Sequence, residues 1–378
     1  VGAGIISMGL IILVFLVKFI FKTNQRDRSH LVEITESEQP KLFAFIREIV
    51  NQAGTKFPKK IFISSEVNAA VFYDSSFWSM FLPVRKNLII GMGLVNSVSD
   101  IELKAILAHE FGHFSQRSMK VGSYVYNTNQ IIFNIVNDDA SFYELLDRWA
   151  SIHILITIFV MAAAKVMEFI RFILRKMYEI VNISYLKLSR QMEFHADEVA
   201  ANIAGSQPMI NSLLRLDLAN YAYNSVIDFY NAHFNDALIS KNLFPHQQFV
   251  LGFLAKQSDL PIVNDLPEVS VENLSRFNKS KLNLDKQWES HPATEERVEA
   301  LKKLNIQVNN PHPKPASDLF LDIESLQKLI TYNVFNGVEY SKKTSYVEND
   351  TFINDYAKDY EVNSFGKAYN NYYDNKNP

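Results

Sequence analysis

The residues that could do chemistry in this sequence are concentrated at positions 109–113, which read His-Glu-Phe-Gly-His. Ser99 and Glu102 form the pattern of a capping box, so the motif is predicted to lie on a helix that runs to about residue 116. Residues four apart share a helix face, so both imidazoles can reach one ion, with Glu110 about 100° round the helix, beside that ion. Two neutral nitrogen ligands and a carboxylate base are what a zinc hydrolase needs.

A third metal ligand is predicted on a second helix. The sequence contains no cysteine, so a metal must be held by histidine and carboxylate groups. A predicted helix over 183–204 carries Glu193 and Asp197 four apart, on one face. We expect Glu193 to bind the metal and Asp197 to accept the free N–H of an imidazole, that of His109. Taken alone, such a pair is typical of a solvated helix face. His195 points about 200° away from Glu193 and is expected to be structural.

Three motifs together resemble the membrane zinc peptidases of the HtpX and CAAX prenyl protease family. They are the His-Glu-Phe-Gly-His helix, the segment Ser-Arg-x-x-Glu-x-x-Ala-Asp at 189–197, and His291-Pro292 followed by Arg297. The similarity covers roughly residues 33–304. It implies a zincin-like catalytic domain, one Zn²⁺ per chain, endoproteolysis, and an active site that faces the cytosol at the membrane.

The resemblance also implies roles for residues outside the two metal-binding helices. His291 is expected to polarise the scissile carbonyl, and Pro292 at the first position of a helix would fix it at the helix start. Arg297 is interpreted as an ion-pair partner of Glu193 or Asp197. Asn68 and Ala69, on a predicted strand, resemble the edge strand that binds substrate in extended form.

Residues 2–21 form an apolar run whose only charge is Lys18. Twenty residues at a rise of 1.5 Å span about 30 Å, the thickness of a bilayer core, so an N-terminal transmembrane helix is predicted. A signal peptide and a buried core helix are the alternatives. Lys22, Arg26 and Arg28 follow the run and indicate that this flank lies in the cytoplasm.

A second apolar run, at 152–164, continues to residue 177 with charges every three or four residues. This pattern predicts a helix that lies in the membrane interface or re-enters it, with an amphipathic helix packed on the core as the alternative. A single full span is disfavoured. His113 precedes the run and Glu193 follows it, and both must reach the same ion.

The predicted fold is α+β and mostly helical, with a small mixed sheet. Strands are expected at 61–64, 69–73, 80–84 and 88–90, and helices at 33–53, 142–178, 183–204, from 208 onward and over 292–304. We divide the chain into an anchor at 1–22, a metallopeptidase domain at 30–305 with a membrane-associated helix inserted at 150–178, and a polar, Asn/Tyr-rich extension at 306–378.

Composition and motifs together predict a protein or peptide substrate. The 38 basic and 41 acidic residues give a net charge of −3, which does not favour a nucleic acid partner. The expected partners are a polypeptide substrate and the lipid bilayer, and the oligomeric state is left open. The predicted function is that of a membrane-anchored zinc metalloendopeptidase acting on membrane or misfolded proteins. The alternatives are a CAAX-type prenyl-protein endopeptidase and a catalytically silent, zinc-stabilised membrane scaffold, although the latter has no use for Glu110.

Overall fold

The computed structural model describes residues 30–72, 86–115, 131–136, 154–274, 292–308 and 312–363, with scattered positions within 2–13 and 125–129. His291, the strand expected at 80–84 and most of the predicted N-terminal anchor lie outside the described residues. Within the described residues the fold is mostly helical with a small mixed sheet, so the predicted α+β class is confirmed.

The principal sheet has four strands in the order β1-β2-β4-β3. Its strands are β1 (Val32–Ile34), β2 (Ile61–Ser64), β3 (Ala69–Phe72) and β4 (Asn87–Gly91). β2 and β4 are parallel, whereas β1 and β3 run antiparallel to their neighbours. The four residues of β2 are all buried, as expected for an internal strand covered on both faces. β3 is left at an edge of the sheet, with Ala69 opposite Ile90.

The structure defines the bounds of nine α-helices in the described part of the chain. They are α1 (Pro40–Gln52), α2 (Met92–Val95), α3 (Asp100–Ser115), α4 (Ile154–Ala204), α5 (Ser206–Ala232), α6 (Leu243–Gln257), α7 (Thr294–Leu304), α8 (Ile323–Phe335) and α9 (Asn349–Asn363). Two small two-stranded sheets complete the fold, one pairing β5 (Leu238–Ile239) with β8 (Ser345–Tyr346) and one pairing β6 (Ile262–Val263) with β7 (Leu266–Pro267).

Two of the predicted helices have different bounds in the structure. The segment predicted as a helix at 33–53 begins with strand β1, and its helix starts only at Pro40, because proline fits the first turn of a helix. The helices predicted at 142–178 and 183–204 are one continuous helix from residue 154 in the described chain. No glycine or proline lies between residues 154 and 204, so the backbone hydrogen bonds are not interrupted. Gly205 follows with φ of 99°, a conformation that glycine adopts readily.

Residues of the predicted C-terminal extension take part in the same hydrophobic core as the sheet and helices before them. Buried side chains of this region include Phe320, Leu326, Ile330, Phe352 and Tyr356. Helices α8 and α9 both pack against α6. The described part of the extension, up to residue 363, is therefore folded onto the rest of the molecule.

The described residues test only part of the predictions about the membrane. None of its helices combines the length and the sustained apolar run required to cross a bilayer. The first half of α4 exposes large apolar side chains, with exposed fractions of 65% at Ile158, 62% at Phe169 and 69% at Ile180. The stripe of charges expected along this half is incomplete, because Arg171 is only 6% exposed.

Candidate active site

The three predicted metal ligands lie together between α3 and α4. The Nε2 atoms of His109 and His113 are 3.1 Å apart, and the Glu193 carboxylate oxygens lie 3.5 Å and 3.4 Å from them. Tetrahedral ligands placed about 2.0–2.1 Å from a zinc ion lie about 3.3 Å from one another. The donor set and its spacing therefore fit a zinc ion, and within the described residues this is the group found with metal-binding geometry.

A buried carboxylate and an arginine hold the first of these histidines. Asp197 is 1% exposed and accepts a hydrogen bond from Nδ1 of His109 at 2.9 Å. Arg297 donates two hydrogen bonds to Asp197, at 2.8 Å and 2.6 Å, and lies 3.7 Å from Glu193. Arg297, which is remote in sequence, thus contacts both Glu193 and Asp197 of α4.

The pKa values of the two imidazoles are shifted in opposite directions. Burial alone lowers the pKa of His109, but hydrogen bonds to Asp197 and Glu193 outweigh that effect and raise the pKa to about 9. Burial, together with the positive charge of His109, lowers the pKa of His113 to about 4. These groups thus hold one positive charge, and a second is disfavoured.

Small residues allow the two helices of the site to approach closely. A Cβ atom on Gly112 would lie 3.1 Å from Val199 and 3.2 Å from the backbone of Ala196, so a larger residue would push α3 away from α4. Ala196 and Ala200 are fully buried at this contact. In the sequence, Gly112 stands out only as part of the motif. Its role in bringing Glu193 to the histidines is visible only in the packing.

The start of α3 is fixed by the predicted capping box. The Glu102 carboxylate accepts the Ser99 N–H at 2.8 Å, and the Ser99 hydroxyl accepts the Glu102 N–H at 3.4 Å. The same carboxylate forms a buried ion pair with Arg215 of α5 at 2.5 Å. These contacts set the position of the helix that carries both imidazoles.

Glu110 lies beside the metal-binding group and next to the edge strand. Its carboxylate faces the backbone N–H of Val71 on β3, which favours the ionised form. Burial raises the pKa of Glu110 above its usual value, although the positive charge of His109 acts in the opposite direction. A carboxylate with a raised pKa is better suited to accept and return a proton near neutral pH than an exposed one.

Residues 65–68, which precede β3, form one wall of the site. The Asn68 carbonyl accepts the Gly91 N–H at 2.7 Å, and the Ser65 carbonyl accepts the Gly93 N–H at 3.2 Å. A Cβ atom on Gly91 would lie 1.9 Å from the carbonyl oxygen of Glu66, so only glycine allows this approach. The sequence showed these glycines only as the end of the strand region.

The resemblance predicted residues that bind the substrate and a residue that polarises its carbonyl. The structure describes the first but not the second. Asn68 is exposed and Ala69 begins the edge strand β3, and both face the cavity described below. His291 lies outside the described residues. The expectation that Pro292 starts the following helix is wrong, because α7 begins at Thr294 with Ala293 as its N-cap.

A cavity of about 890 Å³ contains this site. His109, Glu110, His113, Glu193 and Arg297 lie on its wall. Further wall residues come from the loop before β3, from β3 itself and from one long face of α5. These α5 residues were not predicted, since apolar positions at helical spacing in the sequence are typical of any core helix.

A helix with two histidines four apart, completed by a glutamate from a second helix and flanked by an edge strand, is the arrangement found in metallopeptidases of the HExxH class. Residues 36–305, more than half of the chain, match Peptidase family M48. The chain belongs to that family and is a protease by its relatives.

Curated relatives carry the name HtpX. The chain is 28% identical to the protease HtpX of Hahella chejuensis over 232 residues, 58% of this chain and 70% of the relative. It is 21% identical to the protease HtpX homolog of Campylobacter curvus over 289 residues, 75% of this chain and 81% of the relative. With the HtpX homolog of Bacillus subtilis the identity is 28% over 187 residues, 47% of this chain and 55% of the relative. The predicted resemblance to HtpX-like peptidases is confirmed.

Proposed function

We propose that this protein is a membrane-associated zinc metalloendopeptidase that cleaves membrane or misfolded polypeptides. The observation that carries the proposal is the convergence of His109, His113 and Glu193 within 4.8 Å of one another, with Glu110 on the same cavity wall. A structural metal site has no need of a carboxylate base beside it, which favours a catalytic site over a scaffold.

His109, His113 and Glu193 are proposed to hold the zinc, and Asp197 to keep Nδ1 of His109 protonated so that Nε2 is the ligand. Arg297 keeps Asp197 ionised. Although burial raises the pKa of Asp197, hydrogen bonds from Arg297 and His109 lower it below its usual value. A zinc ion held by these residues would supply Lewis acidity, which would make water at the site more acidic and polarise the scissile carbonyl.

Glu110 is proposed to be the general base. Its carboxylate accepts a proton from the attacking water and returns it to the leaving amine. This carboxylate faces the backbone N–H of Val71 at the edge of β3, where an extended substrate would add a strand to the sheet beside Asn68 and Ala69. His291 remains our candidate for polarising the carbonyl, on the family resemblance alone.

Replacing the proposed base tests this function. The Glu110→Gln protein should bind one zinc per chain but cleave casein about 10²–10⁴-fold more slowly than wild type, because a neutral amide cannot accept the proton. Zinc content by elemental analysis and casein cleavage would be measured on the full chain in detergent. Glu198→Gln, an exposed position on α4, is the matched control and should behave as wild type. Wild-type cleavage rates in the Glu110→Gln protein would contradict the mechanism.

A further inference from the structure

One wall of the catalytic cavity is supplied by a residue outside the part of the chain that matches the family. Of the described residues that line this cavity, Val334 alone lies C-terminal to residue 305. Val334 is on α8 and is half-buried, packed partly against the hydrophobic core. The cavity that contains the proposed active site is therefore shaped in part by a segment that the family match does not include.

Hydrogen bonds fix the register of α8 against the start of α6. The Leu243 N–H donates to the Thr331 hydroxyl at 3.0 Å, and the Asn242 amide donates to the Gln327 side-chain oxygen at 3.0 Å. Ile330 is 1% exposed and Thr331 is fully buried. Val334 follows one turn later on the same face, so its side chain is held against the cavity.

The wall contributed by α5 shows at which end of the cavity Val334 lies. Lining residues recur along one face of this helix from Met209 to Ile227, a distance of about 27 Å. Tyr230 is three residues beyond Ile227, and its ring contacts that of Phe335 with centroids 5.3 Å apart. Val334 is adjacent to Phe335 and therefore lies at the Ile227 end of this wall.

This end of the cavity is apolar where Val334 and Ile227 meet it. Both side chains are half-buried, so each presents part of its surface to the cavity. A branched apolar side chain on a helix that is held in place limits the size of the group that can occupy this end of the cavity. In such a pocket one or two methyl groups change the preference between substrates by roughly 10–200-fold.

We propose that Val334 is a specificity-determining residue of the peptidase, which limits the size of the substrate side chain accepted at the Ile227 end of the cavity. The segment beyond residue 305 thus selects substrate for a site whose proposed catalytic groups lie at residues 109–297. This inference rests on the proposed function, because it concerns the substrate of that site.

The test compares peptides that differ in one residue. In one parent peptide, four positions on each side of the scissile bond are replaced, one at a time, by Ala, Val, Leu or Phe. In Val334→Ala the ratio of kcat/KM for Phe over Ala should rise about tenfold at one position, and in Val334→Trp it should fall by a similar factor. Values for the peptides varied at the other positions should stay unchanged.

Leu329→Ala and Leu329→Trp are the matched controls. Leu329 lies on the same helix and is 47% exposed, and it does not line the cavity. Far-ultraviolet circular dichroism would verify that each variant is folded. Val334→Ala removes only two methyl groups, so it serves if the tryptophan variant does not fold. Selectivity in both Val334 variants equal to that of the Leu329 variants would overturn the proposal.

Binding separates this inference from the proposed function. The same labelled peptides would be titrated onto the Glu110→Gln protein, with and without Val334→Ala, and followed by fluorescence anisotropy. A shift of about tenfold in the relative Kd for Phe and Ala peptides supports the role of Val334 without any hydrolysis. Wild type that binds the peptides but does not cleave them would count against the proposed function alone. An unchanged ratio of Kd values would count against Val334 alone.

Discussion

His109 makes contacts of different kinds through its two ring nitrogens. Nδ1 faces Asp197 at 2.9 Å, whereas Nε2 faces His113 and Glu193. Because Asp197 is ionised by its contacts with Arg297, it requires a proton on Nδ1, so the neutral imidazole of His109 has its lone pair on Nε2. The carboxylate and arginine outside the ligand group therefore decide which nitrogen of His109 is available to a metal.

Substitution of Asp197 tests whether its contact with His109 supports metal binding. Asp197→Asn removes the negative charge that orients and polarises His109, so zinc affinity should fall by about 10–100-fold. The measurement is competition with a chromophoric chelator at pH 7.5. Glu198→Gln changes the neighbouring exposed carboxylate on the same helix and should leave the affinity at the wild-type value. An Asp197→Asn protein that binds zinc as tightly as this control would show that the contact is not needed for metal binding.

Helix α4 carries residues of the candidate active site at one end and an exposed apolar surface at the other. Its 51 residues extend over about 77 Å at the helical rise. The C-terminal half carries Glu193 and Asp197, and the N-terminal half exposes apolar side chains such as Phe169 and Phe172, 62% and 57% exposed. Nearby charges are paired within the helix, as in Lys165 with Glu168 at 2.8 Å. This distribution is typical of a helix that lies in a membrane interface, which supports the membrane association proposed above.

We expect the N-terminal half of α4 to contact lipid. In the full chain reconstituted into liposomes, tryptophan introduced by Phe169→Trp should show fluorescence that shallowly brominated lipids quench beyond the wild-type level. Leu329→Trp, on the exposed face of α8, should add no quenched component. Quenching by deeply brominated lipids would instead indicate insertion towards the bilayer centre. The absence of additional quenching relative to Leu329→Trp would contradict a lipid contact at this face.

At the scale of the whole molecule, an aromatic cluster joins the C-terminal helix to the core. Phe352 of α9 is fully buried and stacks on the ring of His246, with centroids 4.0 Å apart. The His246 Nδ1 atom lies 3.0 Å from the Tyr230 hydroxyl. Burial lowers the pKa of His246 to about 4, so this histidine is neutral in the folded protein at neutral pH.

This burial makes global stability depend on pH. Above the unfolded-state pKa of about 6.5, His246 is neutral in both states and its contribution is fully present. As the pH falls towards about 4, the unfolded chain binds a proton that the folded protein excludes, so stability is lost. The cost is about 2 kcal/mol at pH 5. Urea unfolding at pH 7.5 and pH 5.0, with chelator present, should show this loss in wild type.

The comparison protein for this measurement is His246→Asn, which keeps a polar group near Tyr230 and does not titrate in this range. Contributions from His109 and His113 are common to both proteins and cancel in the difference. The variant should lose about 2 kcal/mol less than wild type between the two pH values. An equal loss in the two proteins would mean that His246 is already protonated when folded, or that it is exposed.

The predicted α+β class and the helix of the metal-binding motif followed from local patterns. The spacing of His109 and His113, the capping box at Ser99 and the alternation of apolar segments each depend on residues close in sequence, which is why they could be read directly. Local patterns predicted two helices, at 142–178 and 183–204, where the structure has the continuous α4. Tertiary packing extends a helix through the residues between such segments when no glycine or proline interrupts it.

The sequence by itself determined the donor types, since a chain without cysteine and with a His-Glu-Phe-Gly-His helix leaves histidine and carboxylate as metal ligands. It also determined which helix carries Glu193 and Asp197. Three features are visible only in the folded protein: Gly112 lets α3 meet α4, Arg297 contacts Glu193 and Asp197, and Val334 lines the same cavity. These contacts join residues far apart in the sequence, such as Asp197 and Arg297 at a separation of 100 positions, and they depend on side-chain volumes and helix packing, which no local periodicity encodes.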